Sequence, residues 1–589
     1  MHIRCPNCRV LETLRAHSRP RSISAHPSKR PSNPFSASRR PFTYSAHHAQ
    51  RQVAVIGGGI TGLTAAYRLA KQAFGSNTHV TLYEKSSRLG GWLQSERVTA
   101  PDGTEVLFEY GPRTLRAAMP GSFSLLELLM DLGLENDILT TKSNSPAACN
   151  RYIYYPDRLQ RIPGPYPNSH RMISSLRNGV EVLSNPLFRN LLPRLLQALW
   201  AEKRDPSVKD ESAGDFIRRI FGEDAADIFA SAVFHGIYAG DIYKLSARAL
   251  FPAMWALDGH KGGLVDGMIS LKAGEIALPN HVEMARGVRV NQAEELVKGS
   301  SVFTLRGGMG QLSDALESSL RSSKNVTIKM GAQIKSISGN PDRWSPMNIR
   351  LRNNTTSKYD AIISTTPSTA LSSQLLASPA PQSTKHLASL LSLNNYAVTV
   401  MVVNLYYSNP NLLRHQGFGY LIPRTVAISQ NPELALGVIF ASETSRGQDD
   451  APGTKLTVML GGHWWDGWQP SDLPDEESGI EMAKSVLARH LQITEEPVLA
   501  RARLQRDAIP QYQVGHVELL KSLDGALDEA FAGKLKVAGA WYTGVGVNDC
   551  VRSARLVESE ESVATFVQMQ ESRVGSAVKP RTLLSHYYR

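Results

Sequence analysis

The sequence predicts an α/β chain with an α+β portion, built in three parts: an open sheet with helices on both faces, a domain on a mixed sheet, and a largely helical insertion. Three observations predict it. A β-branched run, Gln52-Val-Ala-Val-Ile, ends in the cluster Gly57-Gly-Gly59-Ile-Thr-Gly62, and a helical stretch and a second run, Val80-Thr-Leu-Tyr-Glu84, follow. Strand and helix signals of the same kind return after residue 300 and again near the C-terminus. Between them, residues from about 391 to 515 alternate strand-like runs with polar turns.

In the glycine cluster, Gly57 permits the tight turn out of the strand, Gly59 lets the backbone approach a pyrophosphate, and Gly62 lets the next helix pack closely. Phosphates there meet the free N–H groups and positive dipole end of that helix. Leu63, Ala66, Tyr67, Leu69 and Ala70 give it a buried face. Glu84, 22 residues after Gly62, stands where an acid accepts hydrogen bonds from both ribose hydroxyls. Lys85-Ser-Ser-Arg88-Leu-Gly90-Gly91-Trp92 extends it to an acid, five residues and two glycines. That arrangement resembles the flavin enzymes of the amine oxidase superfamily, so FAD is expected rather than a nicotinamide cofactor.

At 589 residues, 42% hydrophobic and 20% charged, the chain can bury large cores and make two or three domains. Its formal net charge is +12, but residues 1 to 51 hold nine Arg and Lys29 against Glu12, or +9, which leaves +3 for the other 538. A nucleic-acid partner is therefore not expected. The same stretch is Ser-rich, acid-poor and interrupted by Pro20, Pro27, Pro31, Pro34 and Pro41. It reads as a mitochondrial transit peptide, with a disordered basic tail as the alternative. The four cysteines are Cys5, Cys8, Cys149 and Cys550. Cys5 and Cys8 have no second pair at zinc-ribbon spacing, so neither a metal site nor a disulfide framework is expected. No run of about 18 apolar residues suggests a spanning helix.

Asn185 to Trp200 carries apolar pairs at 187/188, 191/192, 195/196 and 199/200, with Arg189 and Arg194 off that stripe and Pro193 interrupting it. Two readings stand: a basic amphipathic helix lying in a bilayer interface, or a helix covering its own core or a dimer contact. Further on, Gly307-Gly308-Met-Gly310 introduces a helix to Leu320, and Val326 to Met330 and Gln333 to Ile337 read as strands. Tyr359 to Pro367 reads as one buried strand. Val398 to Leu405, Gly417 to Pro423, Leu434 to Phe440 and Leu456 to Leu460 read as strands of the second domain, with a helix at Ile480 to Leu491. Leu535 to Trp541 is again a strand, entering Gly544-Val-Gly546-Val-Asn-Asp549 before a helix around Cys550.

The motifs Glu109-Tyr-Gly-Pro-Arg113, Ala147-Ala-Cys-Asn-Arg151, His235-Gly236-Ile-Tyr-Ala-Gly240-Asp, Gln416-Gly-Phe-Gly-Tyr-Leu421, Thr457-Val-Met-Leu-Gly461-Gly462, Ile509-Pro-Gln-Tyr and Gly544-Val-Gly-Val-Asn-Asp-Cys550 narrow the resemblance. From about residue 52 to 570 the chain is similar to the family of oxygen-dependent, mitochondrial-type protoporphyrinogen oxidases. The expected organisation is then a transit peptide or disordered segment over 1–51 and a Rossmann-like FAD-binding domain over 52–144, 300–374 and 531–572. A helical membrane-binding insertion over 145–299, a substrate-binding domain over 375–530 and a tail over 573–589 complete it.

The resemblance also implies site residues. Arg151 pairs with a propionate of a tetrapyrrole, a use suited to a guanidinium fork. Gly236 offers its carbonyl to pyrrole N–H groups, and Phe418, Leu421, Leu436, Ile439 and Met459 shape an apolar slot. By periodicity alone these five are core residues. On the cofactor side it places Gly57, Gly58, Gly59, Ile60, Thr61 and Gly62 on the pyrophosphate, and Glu84 and Lys85 near the ribose. Trp92, Gly111, Pro112, Arg113 and Thr114 fall near the flavin and Ile334 by the adenine, while Ala540, Val545, Gly546 and Val547 face the ribityl chain and ring. Position 517 is Val where related sequences can carry Trp.

No Ser/His/Asp order suggests acyl transfer, and no carboxylate pair suggests glycoside hydrolysis. The resemblance implies that no side chain is catalytic and that the flavin carries the redox chemistry, oxidising protoporphyrinogen IX by six electrons with O2 becoming H2O2. It further implies a homodimer, peripheral on the mitochondrial inner membrane at its intermembrane-space face, in contact with the next haem-pathway enzyme. The alternative enzyme is an amine or polyamine oxidase of the same superfamily.

Overall fold

The computed structural model describes residues 50–72, 77–117, 121–164, 166–167, 171–189, 193, 203–260, 263–272, 290–342 and 344–558. The expected transit peptide with Cys5 and Cys8, the tail, and most of Asn185 to Trp200 lie outside the described residues.

Five strands form a wholly parallel sheet: β1 (Arg51–Ile56), β2 (Thr78–Tyr83), β3 (Val326–Lys329), β4 (Ala361–Ser364) and β5 (Leu535–Val537), in the order β3-β2-β1-β4-β5. Such strands are apolar on both faces because helices cover both. Val53 and Val55 pack with Leu63 and Ala66 of α1 (Ile60–Gln72), Leu312 and Leu316 of Gly310–Ser322, and Val551 of Val547–Glu558. Ala54 and Ile56 face the other way, towards Leu371, Leu387, Leu391 and Leu520 on three further helices. The helix expected around Cys550 begins at Val547.

Tyr359 to Pro367 is not one strand. Thr356–Tyr359 pairs antiparallel with Met347–Leu351, and Ala361–Ser364 enters the parallel sheet. Asp360 turns the corner: its N–H donates to Gln52 O at 2.8 Å and its Oδ2 accepts from Gln52 N at 2.7 Å. Ile334–Ser338 likewise leaves the parallel sheet to pair with Met347–Leu351.

The second sheet has seven strands, in the order Leu499–Pro510, Ala397–Tyr407, Thr454–Gly461, Ala435–Phe440, Gly419–Leu421, Tyr152–Tyr154 and Leu159–Arg161. The last two lie inside the segment expected to be a helical insertion. They join the sheet because Tyr152 and Tyr154 bury their rings in its core with Tyr420 and Phe440. One face carries Met401, Val403, Val438, Val458 and Leu460 and is closed by Ala483, Val486 and Leu487 of helix Glu476–Leu491. A bulge between Ala435 and Gly437 breaks the period-two alternation, so Leu436 packs on the opposite face with Val398 and Val400.

Between Arg161 and Ser300 the described residues are mainly helical, with a core around Phe216, Phe234, Leu245 and Trp255. Among the described residues no helix is long and apolar enough to cross a membrane.

Candidate active site

The glycine turn is built as its residue types require. Gly57 has φ +102° and donates its N–H to Tyr83 O at 2.8 Å. A Cβ on Gly62 would lie 1.8 Å from Gly57 O, so α1 rests directly on the turn. A Cβ on Gly59 would meet only Gly91 Cα, at 3.9 Å, which leaves bare backbone facing open space. Glu84 Oε2 accepts from Gly58 N at 2.7 Å, and its Oε1 accepts from the N–H and hydroxyl of Ser86, each at 2.7 Å.

Two residues that the sequence did not single out support this turn. Arg88 donates to Leu89 O at 2.8 Å and Leu93 O at 3.0 Å, and also binds Gly91 O, bracing the double-glycine loop. Thr365 donates from Oγ1 to Ile56 O at 2.8 Å. The only signal for it was the strand ending in Thr-Thr-Pro.

The other expected cofactor residues fall into two groups. Thr61 lies against Gly539, where a Cβ would stand 3.0 Å from its Oγ1, so the start of α1 meets the loop after β5. Cys550 is buried in the helix that follows this loop, and burial pushes its thiol up to about 12. Ala540 and Val545 are half-buried, Gly546 is exposed and Val547 is buried. Ile60 and Ile334 are half-buried in the core, and Ala332, near Ile334, donates to Glu84 O at 2.8 Å. Lys85 and Trp92 are exposed, and only the Trp92 carbonyl is enclosed, beneath Gly111.

Arg113 is buried between half-buried Pro112 and Thr114, and neither Nη1 nor Nη2 has a hydrogen-bond partner. Burial lowers it to about 10, against the opposing charge of Glu109. Glu109 is itself raised to about 7 by burial, although Ser95 Oγ and Met309 N each donate to it at 2.7 Å. A buried guanidinium without acceptors is costly. The unspent donors, the open glycine backbone and the acid at the end of β2 fit FAD, for which Gly57 to Gly62 would hold the phosphate and Glu84 the ribose.

The residues expected at the substrate converge on the face of the seven-stranded sheet opposite its main core. Gly236 lies on helix Ser231–Tyr238, and a Cβ there would stand 2.7 Å from Leu421 Cδ2. Leu421 pairs with Gly437, Gly437 with Met459, and Ile439 with Gly419, so these side chains point away from Tyr420 and Val458. Leu436 is 1% exposed and packs against Val398, Val400 and Met459; Leu421, Ile439 and Met459 are half-buried. Arg151 and Phe418 stand at the same end of two neighbouring parallel strands, the guanidinium 5.2 Å from the ring centroid. Burial, and then the nearby Arg116 guanidinium, lower Arg151 from its ordinary value. No carboxylate among the described residues pairs with it. His235 anchors this wall: its Nδ1 lies 2.6 Å from Ile422 O and its Nε2 2.8 Å from His463 Nε2. Burial holds both imidazoles low, at about 3 and about 4, hence neutral.

Residues 60–557 match the family model of flavin containing amine oxidoreductases. The chain is 34% identical over 508 residues to a Homo sapiens protoporphyrinogen oxidase, covering 86% of this chain and 97% of that one. It is 33% identical over 509 residues to the Schizosaccharomyces pombe protoporphyrinogen oxidase, covering 85% and 96%. Among solved structures, an Exiguobacterium protein superposes with a TM-score of 0.61 at 20% identity over 89% of this chain and all of that one. A reduced UDP-galactopyranose mutase gives 0.57 at 16% over 88% and 99%. These structural likenesses show a shared fold.

Proposed function

Because the chain belongs to the protoporphyrinogen oxidases, within the flavin containing amine oxidoreductases, we propose that it oxidises protoporphyrinogen IX to protoporphyrin IX, the penultimate step of haem biosynthesis. It is an oxidoreductase and its cofactor is FAD. The observation that carries the substrate is the placing of Arg151, which pairs with no carboxylate among the described residues and lies over the Phe418 ring, beside a wall of aliphatic side chains. A flat apolar macrocycle with carboxylate arms meets both requirements.

FAD, when bound, supplies the hydride acceptor at N5. The chain's own part is to bind and orient. Arg151 takes a propionate, and Leu421, Ile439 and Met459 exclude water from one ring face. Gly236 brings a bare helix backbone to the pyrrole N–H groups. In this reading three rounds remove six electrons, and three O2 become three H2O2.

The basic, Ser-rich residues 1–51 support a mitochondrial destination. Exposed Val180 and Leu183 on helix Arg171–Ser184, with exposed Met268 and Ile269, support peripheral attachment to the inner membrane at its intermembrane-space face. A homodimer and contact with the next enzyme of the pathway belong to the same reading.

The test is anaerobic addition of protoporphyrinogen IX to the purified holoprotein. The flavin absorbance should bleach, fluorescent porphyrin should appear, and O2 should restore the oxidised spectrum. A flavin that stays oxidised with porphyrinogen and is reduced by a primary amine would assign the chain to the amine oxidases instead.

A further inference from the structure

The loop after β5 is held by an unusual set of bonds. Three consecutive carbonyls, Ala540, Trp541 and Tyr542, each accept from a side chain on a different segment. The Tyr512 hydroxyl donates to Ala540 O at 2.5 Å, Asn394 Nδ2 to Trp541 O at 2.7 Å, and His516 Nε2 to Tyr542 O at 3.1 Å. The Tyr512 oxygen also accepts from Gly544 N at 2.7 Å, so one hydroxyl spans the loop. Its ring stacks on His516, with centroids 4.1 Å apart and planes 9° from parallel. Burial keeps that hydroxyl protonated, as donating and accepting at once requires. The neighbouring Gln511 binds Tyr238 O through Nε2 at 2.8 Å, on the helix that carries Gly236.

We propose that Tyr512 is a positioning residue that sets the Ala540–Gly544 loop against the substrate helix. The carbonyls of Ala540, Trp541 and Tyr542 and the N–H of Gly544 are thereby committed to protein partners. The N–H groups of Val545 and Gly546, just before helix Val547–Glu558, and of Val547 at its start have no preceding helical carbonyl to bind. This rests on the reading above that the loop borders FAD.

The variant Tyr512→Phe deletes one oxygen and keeps the ring stack. Losing two hydrogen bonds should speed amide exchange across residues 538–547 by on the order of ten-fold. At full FAD occupancy it should shift the flavin midpoint potential and lower kcat while KM for protoporphyrinogen stays unchanged. Unchanged exchange and an unchanged potential would overturn the proposal. Hydrogen exchange on the unmodified protein separates the two readings. If FAD fails to protect 540–547, the cofactor placement itself is wrong and the proposal falls with it. Should Tyr512→Phe not fold, Asn394→Ala removes only the Trp541 bond and must speed exchange in the same segment; no change there refutes the clamp.

Discussion

Gly236 and Leu421 meet so closely that a methyl group on Gly236 would stand 2.7 Å from Leu421 Cδ2, across the gap between the insertion's helix and the second sheet. The obstructing atom is the far end of a flexible side chain, so the fold can absorb the change and the slot cannot. Gly236→Ala should therefore leave the melting temperature within a few degrees and raise KM for protoporphyrinogen. An unchanged KM would remove Gly236 from the substrate wall.

Arg151 has a ring partner and, among the described residues, no carboxylate partner, so in the proposed reading its charge serves an incoming anion. Arg151→Ala should raise KM for a dicarboxylate porphyrinogen about 10- to 100-fold, the worth of roughly 1.5–3 kcal/mol for hydrogen bonds to charged groups. FAD content should not change. Lost flavin with an unchanged KM would reverse the assignment.

The glycine turn separates two failures that are usually confounded. A Cβ on Gly59 meets nothing nearer than 3.9 Å, whereas one on Gly62 would lie 1.8 Å from backbone. Gly59→Ala should fold normally and lose most of its FAD, and Gly62→Ala should melt several degrees lower even without FAD. Equal melting temperatures for the two apoproteins would contradict the packing described.

Glu109 gives the fold a pH signature. Burial raises it from its ordinary 4.5 to about 7, so the protonated form is favoured in the folded state. Its contribution is fully present below about pH 4.5 and is lost as pH rises through about 7, a change of a few kcal/mol at most by linkage. Glu109→Gln should flatten the urea midpoint against pH across that window. A slope equal to that of the unmodified protein would place the titrating group elsewhere.

Much of the site was legible in the residues themselves. Gly57 and Gly62 announce the turn because a tight strand-to-helix turn demands particular backbone conformations at fixed local spacing. The parallel strands were legible for the same reason, since burial on both faces makes them continuous apolar runs. The break at Asp360 was not, because a corner held by contacts with Gln52, 308 residues away, leaves no local mark.

The sequence by itself determined most strands of the parallel sheet, the glycine turn and the chemical types available to the site. Only the tertiary structure decided that Leu436 leaves the face of Val438, that Tyr152 and Tyr154 join a sheet begun 245 residues later, and that one hydroxyl of Tyr512 ties Ala540 to Gly544. The physical reason is range. Backbone conformation is set by neighbours a few residues apart, whereas bulges, buried rings and bridging hydroxyls are fixed by partners that only the closed chain brings together.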